Sequence, residues 1–199
     1  MIEELRRKSI HLSGLILPLI YLFMDKSTMV ILAGVLTGVA ITVELVKWRS
    51  PRFSEFFFRL FTPMLRHHER QGAITGATYY LISALLCILF FHKHLAVVCI
   101  FFMVWGDMSA ALVGKMWGRT KLIGQKSLEG SAACFIVCTA IALVKFHPVV
   151  GIIGALVATF VELIPLRIDD NLTVPLISGA VMHFLIKHQD ALERLLISG

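Results

Sequence analysis

A chain of 199 residues that is 57% hydrophobic and 16% charged, with a mean hydropathy of +0.81, is not composed like a water-soluble domain; such domains carry roughly 45–50% apolar and about 25% charged residues. The net charge of +6 at pH 7 comes from Lys and Arg between apolar blocks, a distribution that suits anionic lipid headgroups and excludes nucleic acid as a partner. Cys87, Cys99, Cys134 and Cys138 all lie inside apolar runs and read as small packing residues, which excludes a disulfide framework.

The chain opens on a basic stretch, Arg6-Arg7-Lys8, followed by an apolar run over 9–24 that contains Pro18, a predicted kink. No small-residue cleavage site ends that run and further apolar segments follow, so no cleavable signal peptide is expected. Arg7, Lys8 and His11 share one helical face, placed either to contact phosphate or to anchor the helix in headgroups. A second segment spans 28–48 and ends near Glu44. Over 51–70, Phe53, Phe56, Phe57, Leu60, Phe61 and Leu65 recur at helical spacing among Arg52, Arg59 and Arg66. That stretch predicts an amphipathic helix, either lying in the headgroup layer or covering the bundle from below. Further apolar segments follow at 73–91, 95–117, 130–146, 148–164 and 172–188. A spanning helix needs about 20 residues, so the expected fold is all-α, a polytopic bundle of about seven spans plus one interfacial helix. No linker divides it, and residues 1–199 read as a single integral-membrane domain.

Basic residues orient such a bundle, because they stay on the cytoplasmic side. Fourteen of the 19 Lys and Arg residues fall on the side of the N-terminus, against Lys26, Lys93, Lys145, Lys187 and Arg194 on the other. The N-terminus is expected in the cytoplasm and the C-terminus outside.

A carboxylate in the bilayer interior costs about 2.5–3.5 kcal/mol even on lenient scales, so one kept there is a functional candidate. Glu44, Asp107 and Glu162 lie inside or at the edges of spans, and Asp169-Asp170 precede the last one. With the orientation above, all five approach the cytoplasmic face, which predicts an acidic cavity able to hold Mg²⁺ against the phosphates of a nucleotide. After Asp107, Ala110, Gly114 and Gly118 form a ridge of small residues that serves helix packing or close approach of a ligand. Lys126 then precedes Ser127, an expected N-cap, and free N–H groups at the helix start would attract phosphate. The spacing is not that of a Walker A loop.

In order along the chain, these segments resemble a known family. Glu4-Leu5-Arg6-Arg7-Lys8-Ser9-Ile10-His11 is similar to the E-x-x-R-K-x-x-H opening of phytol kinases and dolichol kinases, a family that includes CTP-dependent diacylglycerol kinases. Gly106-Asp107 through Gly114, with Gly118-Arg119, resembles its G-D-x-x-A-x-x-x-G…G-R segment. Lys126-Ser127-Leu128-Glu129-Gly130-Ser131 resembles K-S-x-E-G-S, and Glu162 to Pro165 with Asp169 to Leu176 resembles E-x-x-P…D-D-N-L-T-V-P-L. The resemblance implies transfer of the terminal phosphoryl of a nucleoside triphosphate, typically CTP, to a membrane lipid alcohol with a divalent metal. Phytol, a polyprenol or dolichol, and diacylglycerol are the acceptors it suggests; dolichol kinases are much longer chains.

On this reading Asp107, Asp170 and Glu162 would hold Mg²⁺. Lys126 and the helix start at Ser127 would bind the triphosphate, with Arg7, Lys8, His11 and Arg119 as helpers and Gly114, Gly130 and Asn171 completing the nucleotide site. Asp169 or Glu129 would take the proton of the alcohol. Two other readings stand beside it: cytidylyl transfer to a lipid phosphate, and membrane transport. No carboxylate lies in the outer halves of the spans and no inverted repeat is evident, which weighs against transport.

Overall fold

The computed structural model describes residues 12–62, 65, 67–166 and 168–188. The helices follow the apolar segments in order: α1 Ile16–Phe23, α2 Lys26–Arg49, α3 Pro51–Phe61, α4 His67–Arg70, α5 Gly76–Phe90 and α6 Lys93–Phe101. A π-helical turn at Phe102–Gly106 carries α6 directly into α7, Asp107–Met116, and α8 Leu128–Leu143, α9 Pro148–Leu163 and α10 Asp170–Lys187 complete the chain. Among the described residues two helices, Lys26–Arg49 and the continuous run Lys93–Met116, are long and apolar enough to cross a membrane.

Local chemistry sets the boundaries. Asp25 starts α2 by accepting from the Thr28 N–H (2.9 Å) and hydroxyl (2.7 Å), which hold its carboxyl below the usual carboxylate range. Ser50 ends α2 in extended geometry, as a residue before proline does, and caps α3 through Phe53 N–H. The amphipathic helix ends at Phe61, well short of the expected Arg70. The reason is Pro63, which has no N–H to continue the ladder. Residues 12–13 are helical, a turn over 14–15 interrupts the helix and α1 resumes beyond it; Pro18 has no N–H for Gly14 O, which accepts from the Tyr80 hydroxyl instead, so the expected kink is present.

The core centres on α6, apolar on every side and buried from Leu95 to Ile100. It packs against α1, α5, α8 and α10, while α9 packs between α8 and α10 and α7 lies along α8. The outside is apolar too. On α2, Ile31, Val35 and Val39 are 58–67% exposed, and Phe23, Phe90 and Phe160 stand out elsewhere. So continuous an apolar exterior belongs to a membrane protein. At one end of the bundle Lys26 donates to the Leu89 and Phe91 carbonyls and Lys93 to that of Met24.

At the opposite end Glu44 does not open into a cavity as expected. It is buried, accepting from the N–H (2.8 Å) and hydroxyl (2.9 Å) of Thr75 and the hydroxyl of Thr78, with Lys47 at 2.5 Å. Lys47 also donates to Ala73 O and lies 5.4 Å from the Phe57 ring centroid, tying α3 to the start of α5. Glu44→Ala is expected to destabilise the protein by about 3 kcal/mol, because it leaves Lys47 buried and unpaired; thermal unfolding in detergent reads this directly.

The all-α expectation needs one correction. Between α7 and α8 the chain forms an antiparallel hairpin, β1 Lys121–Ile123 with β2 Lys126–Ser127. Gly124 takes φ +56° at its two-residue turn, where a left-handed residue is required. Strands of three and two residues are too short to leave a periodic trace in sequence.

Candidate active site

The hairpin delivers Lys126 and Ser127 to the start of α8. Ser127 is buried and its hydroxyl accepts from Gly130 N–H at 3.2 Å, the expected N-cap. The other N–H groups at this terminus are not free as expected. That of Leu128 donates to Thr120 O (2.9 Å) and that of Glu129 faces its own carboxylate. The terminus therefore offers phosphate the positive end of the helix dipole, without the predicted cradle of open N–H donors.

The small-residue ridge packs α7 against α8, and Gly114 and Gly118 also line a cavity. A Cβ on Gly130 would meet Ala110 O at 2.6 Å and Gly114 Cα at 3.2 Å, so α7 and α8 touch backbone to backbone. Beside that contact lies a cavity of about 530 Å³, lined among others by Asp107, Gly114, Lys126, Ser127, Gly130 and Glu162. Lys126 Nζ pairs with Glu162 Oε1 at 2.8 Å and donates to the Glu162 backbone carbonyl. Glu162 is 8% exposed at the side chain and Lys126 34%, so the lysine is the more open partner of a pair whose two members both line the cavity. Ser131 also lines the cavity, and its buried hydroxyl has no hydrogen-bond partner, an orphan that a bound phosphate oxygen would satisfy.

A small void of about 10 Å³, room for one water-sized group, is lined by Asp107, Glu162, Asp170 and Asn171. The π turn delivers Asp107 there, since it immediately precedes it and rotates the helix face; such turns recur at functional sites. Asn171 is fixed by donating its side-chain N–H to Gly76 O (3.3 Å) and its backbone N–H to Asp169 Oδ1 (3.0 Å). Gly76 N–H in turn donates to the buried Glu69 (2.6 Å).

A second cavity of about 470 Å³ shares Lys126 with the first. Asp169, Asp170, Tyr79 and Thr173 give it polar groups, and most of its remaining wall is aliphatic.

Asp107, Gly114, Lys126, Ser127, Gly130 and Glu162 thus gather at one cavity, with Asp170 and Asn171 at the adjoining void and Asp169 in the second cavity. Glu129 lines none of these; its carboxylate accepts from Thr120 N–H at 3.1 Å. Arg119 is exposed and lines none of them either. Arg7, Lys8 and His11 lie outside the described residues. Sequence reasoning missed Lys115, Lys121 and Ser131, all of which line the first cavity. Lys115 directly follows Gly114, the only signal that was available for it.

No family model matches the chain and no solved structure matches it. Curated sequences do. An uncharacterized protein of Rickettsia prowazekii is 30% identical over 184 residues, 87% of this chain and 90% of that one. A CTP-dependent diacylglycerol kinase of Schizosaccharomyces pombe is 25% identical over 167 residues, 74% of this chain and 76% of that one. A probable chloroplastic phytol kinase of Triticum aestivum is 29% identical over 205 residues, 92% of this chain and 68% of that one. The chain belongs to the lipid-kinase family of CTP-dependent diacylglycerol kinases and phytol kinases. A lipid kinase must neutralise a triphosphate close to a hydroxyl, and the cations, orphan hydroxyl and carboxylates around Lys126 are groups of the kind such chemistry uses.

Proposed function

We propose that this protein transfers the γ-phosphoryl group of CTP, or of another nucleoside triphosphate, to the hydroxyl of a membrane lipid alcohol at the cytoplasmic face. The observation that carries the reading is the Lys126–Glu162 pair at the polar cavity, with Asp107 and Asp170 beside it. A lysine held by a carboxylate presents its charge to the cavity at fixed position. Phosphoryl transfer depends chiefly on such positioning and charge neutralisation.

Lys126, aided by Lys115 and Lys121, binds the triphosphate, and the Ser131 hydroxyl donates to one of its oxygens. Ser127, Gly114 and Gly130 shape the wall that lets the nucleotide approach the backbone, and Arg7, Lys8, His11 and Arg119 are further candidates for its outer contacts. The alcohol oxygen attacks phosphorus, the bond to the β-phosphate bridging oxygen breaks, and the hydroxyl proton passes to Asp169. Among the described residues no group of three or more His, Cys, Asp or Glu is placed to hold a metal on its own. The hard oxygen donors Asp107, Glu162 and Asp170 nevertheless suit Mg²⁺, which usually takes one or two carboxylates and shares the remaining positions with phosphate oxygens and water. When bound it would neutralise charge on the phosphates.

The membrane reading has α1, α2, α5, the α6–α7 rod, α8, α9 and α10 as seven spans of one domain, with α3 at the interface. The excess of basic residues puts the Lys126 end in the cytoplasm, where nucleotide is found. Phytol, a polyprenol or dolichol, and diacylglycerol are the acceptor candidates.

The test is phosphoryl transfer in nanodiscs from γ-labelled CTP with Mg²⁺ to a panel of these alcohols. Label in an organic-extractable monophosphate is the expected result. Transfer of α-label to phosphatidate in its place would replace the reading with cytidylyl transfer.

A further inference from the structure

Resting on that reading, we infer that the second cavity is the acceptor site, which receives the hydroxyl end and first carbons of the lipid alcohol across Lys126 from the nucleotide. Four observations bear on it. Lys126 lines both cavities, so a phosphoryl group held by its ammonium faces each of them. Transfer requires the acceptor oxygen and phosphorus within about 3–3.5 Å in the bound state, which two cavities sharing one side chain allow.

The second cavity also combines polar and apolar groups, as an alcohol of this kind does. Asp169 and Asp170 line it together with the aliphatic side chains of Ile74, Val161, Ile164 and Leu166. Free nucleotide, triply or quadruply charged, would find carboxylates and aliphatic walls there; a neutral hydroxyl on a hydrocarbon finds an acceptor for its proton and apolar cover. The connection between α9 and α10 then supplies a rim: Leu166 and Ile168 are 45% and 52% exposed although both are apolar. Exposed aliphatic side chains at the edge of a cavity suit an occupant whose tail runs out into lipid. Finally, the wall formed by Ala73 and Ile74 is held from behind. Lys47 donates to Ala73 O, Glu44 takes Thr75 N–H, and Glu69 takes Gly76 N–H. That wall is built rigid, as a surface that positions a substrate needs to be.

Ile74 and Ile168 are therefore specificity-determining residues for the acceptor, acting by contact with the first carbons of its chain. Ile168→Asn puts a polar group on the exposed rim, and Ile74→Trp fills the cavity. Each is expected to raise KM for the alcohol by about tenfold or more while leaving KM for CTP within about twofold of the parent. The unchanged CTP value also reports that the variant is folded. Equal rises in both constants, or a change in neither, would overturn the assignment while leaving lipid phosphorylation intact. A diazirine-bearing long-chain alcohol crosslinked to the protein in nanodiscs tests the site without turnover. Adducts at 73–79 or within 161–173 that excess unlabelled alcohol suppresses are expected, even from a protein that transfers no label, and competed adducts confined to residues that do not line this cavity would refute the site.

Discussion

Lys126→Ala is expected to lower kcat for phosphoryl transfer by about 10²–10³, the cost typical of losing one fixed charge-stabilising donor. The same change leaves Glu162 buried and unpaired. The destabilisation should lie near the low end of the range for broken buried pairs, about 3 kcal/mol, since the Lys126 side chain is 34% exposed. Stability and chemistry can be separated. In the double variant Lys126→Ala with Glu162→Gln no unpaired charge is left, so unfolding temperature should recover much of the loss, but activity should not. Lys126→Arg should keep the pair and only part of the rate, because a planar guanidinium does not place its charge where the ammonium stood. Recovery of activity in the double variant would show that Lys126 acts only by holding Glu162, and would remove it from the nucleotide site.

Asp107→Asn carries the second large effect, a fall in kcat/KM of about 10²–10³, together with a raised Mg²⁺ requirement. Asparagine is nearly isosteric, so the α7–α8 contact at Gly114 and Gly130 should survive and the protein should remain folded. Titration of Mg²⁺ distinguishes the roles: a carboxylate that holds the ion shifts the midpoint, whereas one that only shapes the wall lowers the rate at every concentration. Full activity with an unaltered Mg²⁺ midpoint would sink the metal assignment for Asp107.

Much of this was legible in the sequence because the segments are long and strongly apolar. The helices fall on the seven apolar stretches, and Ser127 caps α8 as its position before Leu128-Glu129 implies. The site residues that sit on helices at fixed spacing, Asp107, Gly114 and Gly130, come together because one helix pair carries them all. What was not legible depends on chain direction in space. Lys121 reaches the cavity only through a hairpin of five strand residues, and Glu44 reads as an intramembrane carboxylate until Thr75, 31 positions away, is seen to surround it with donors. The N–H groups of α8 look open in sequence because Thr120 O, which takes one of them, belongs to the preceding turn.

The π turn at Phe102–Gly106 bears on how length changes would be tolerated along the Lys93–Met116 rod. It holds one residue more than an α turn over nearly the same rise. Deleting one residue from the turn would leave Asp107 nearly in phase, whereas winding the same residues as uninterrupted α geometry would swing everything beyond the turn through about 100°. The α6 surface that faces the other helices would be unchanged, but Asp107 would leave the void it shares with Glu162 and Asp170. A rod of the same composition wound without the wide turn would still fit the bilayer and no longer have the first carboxylate in place.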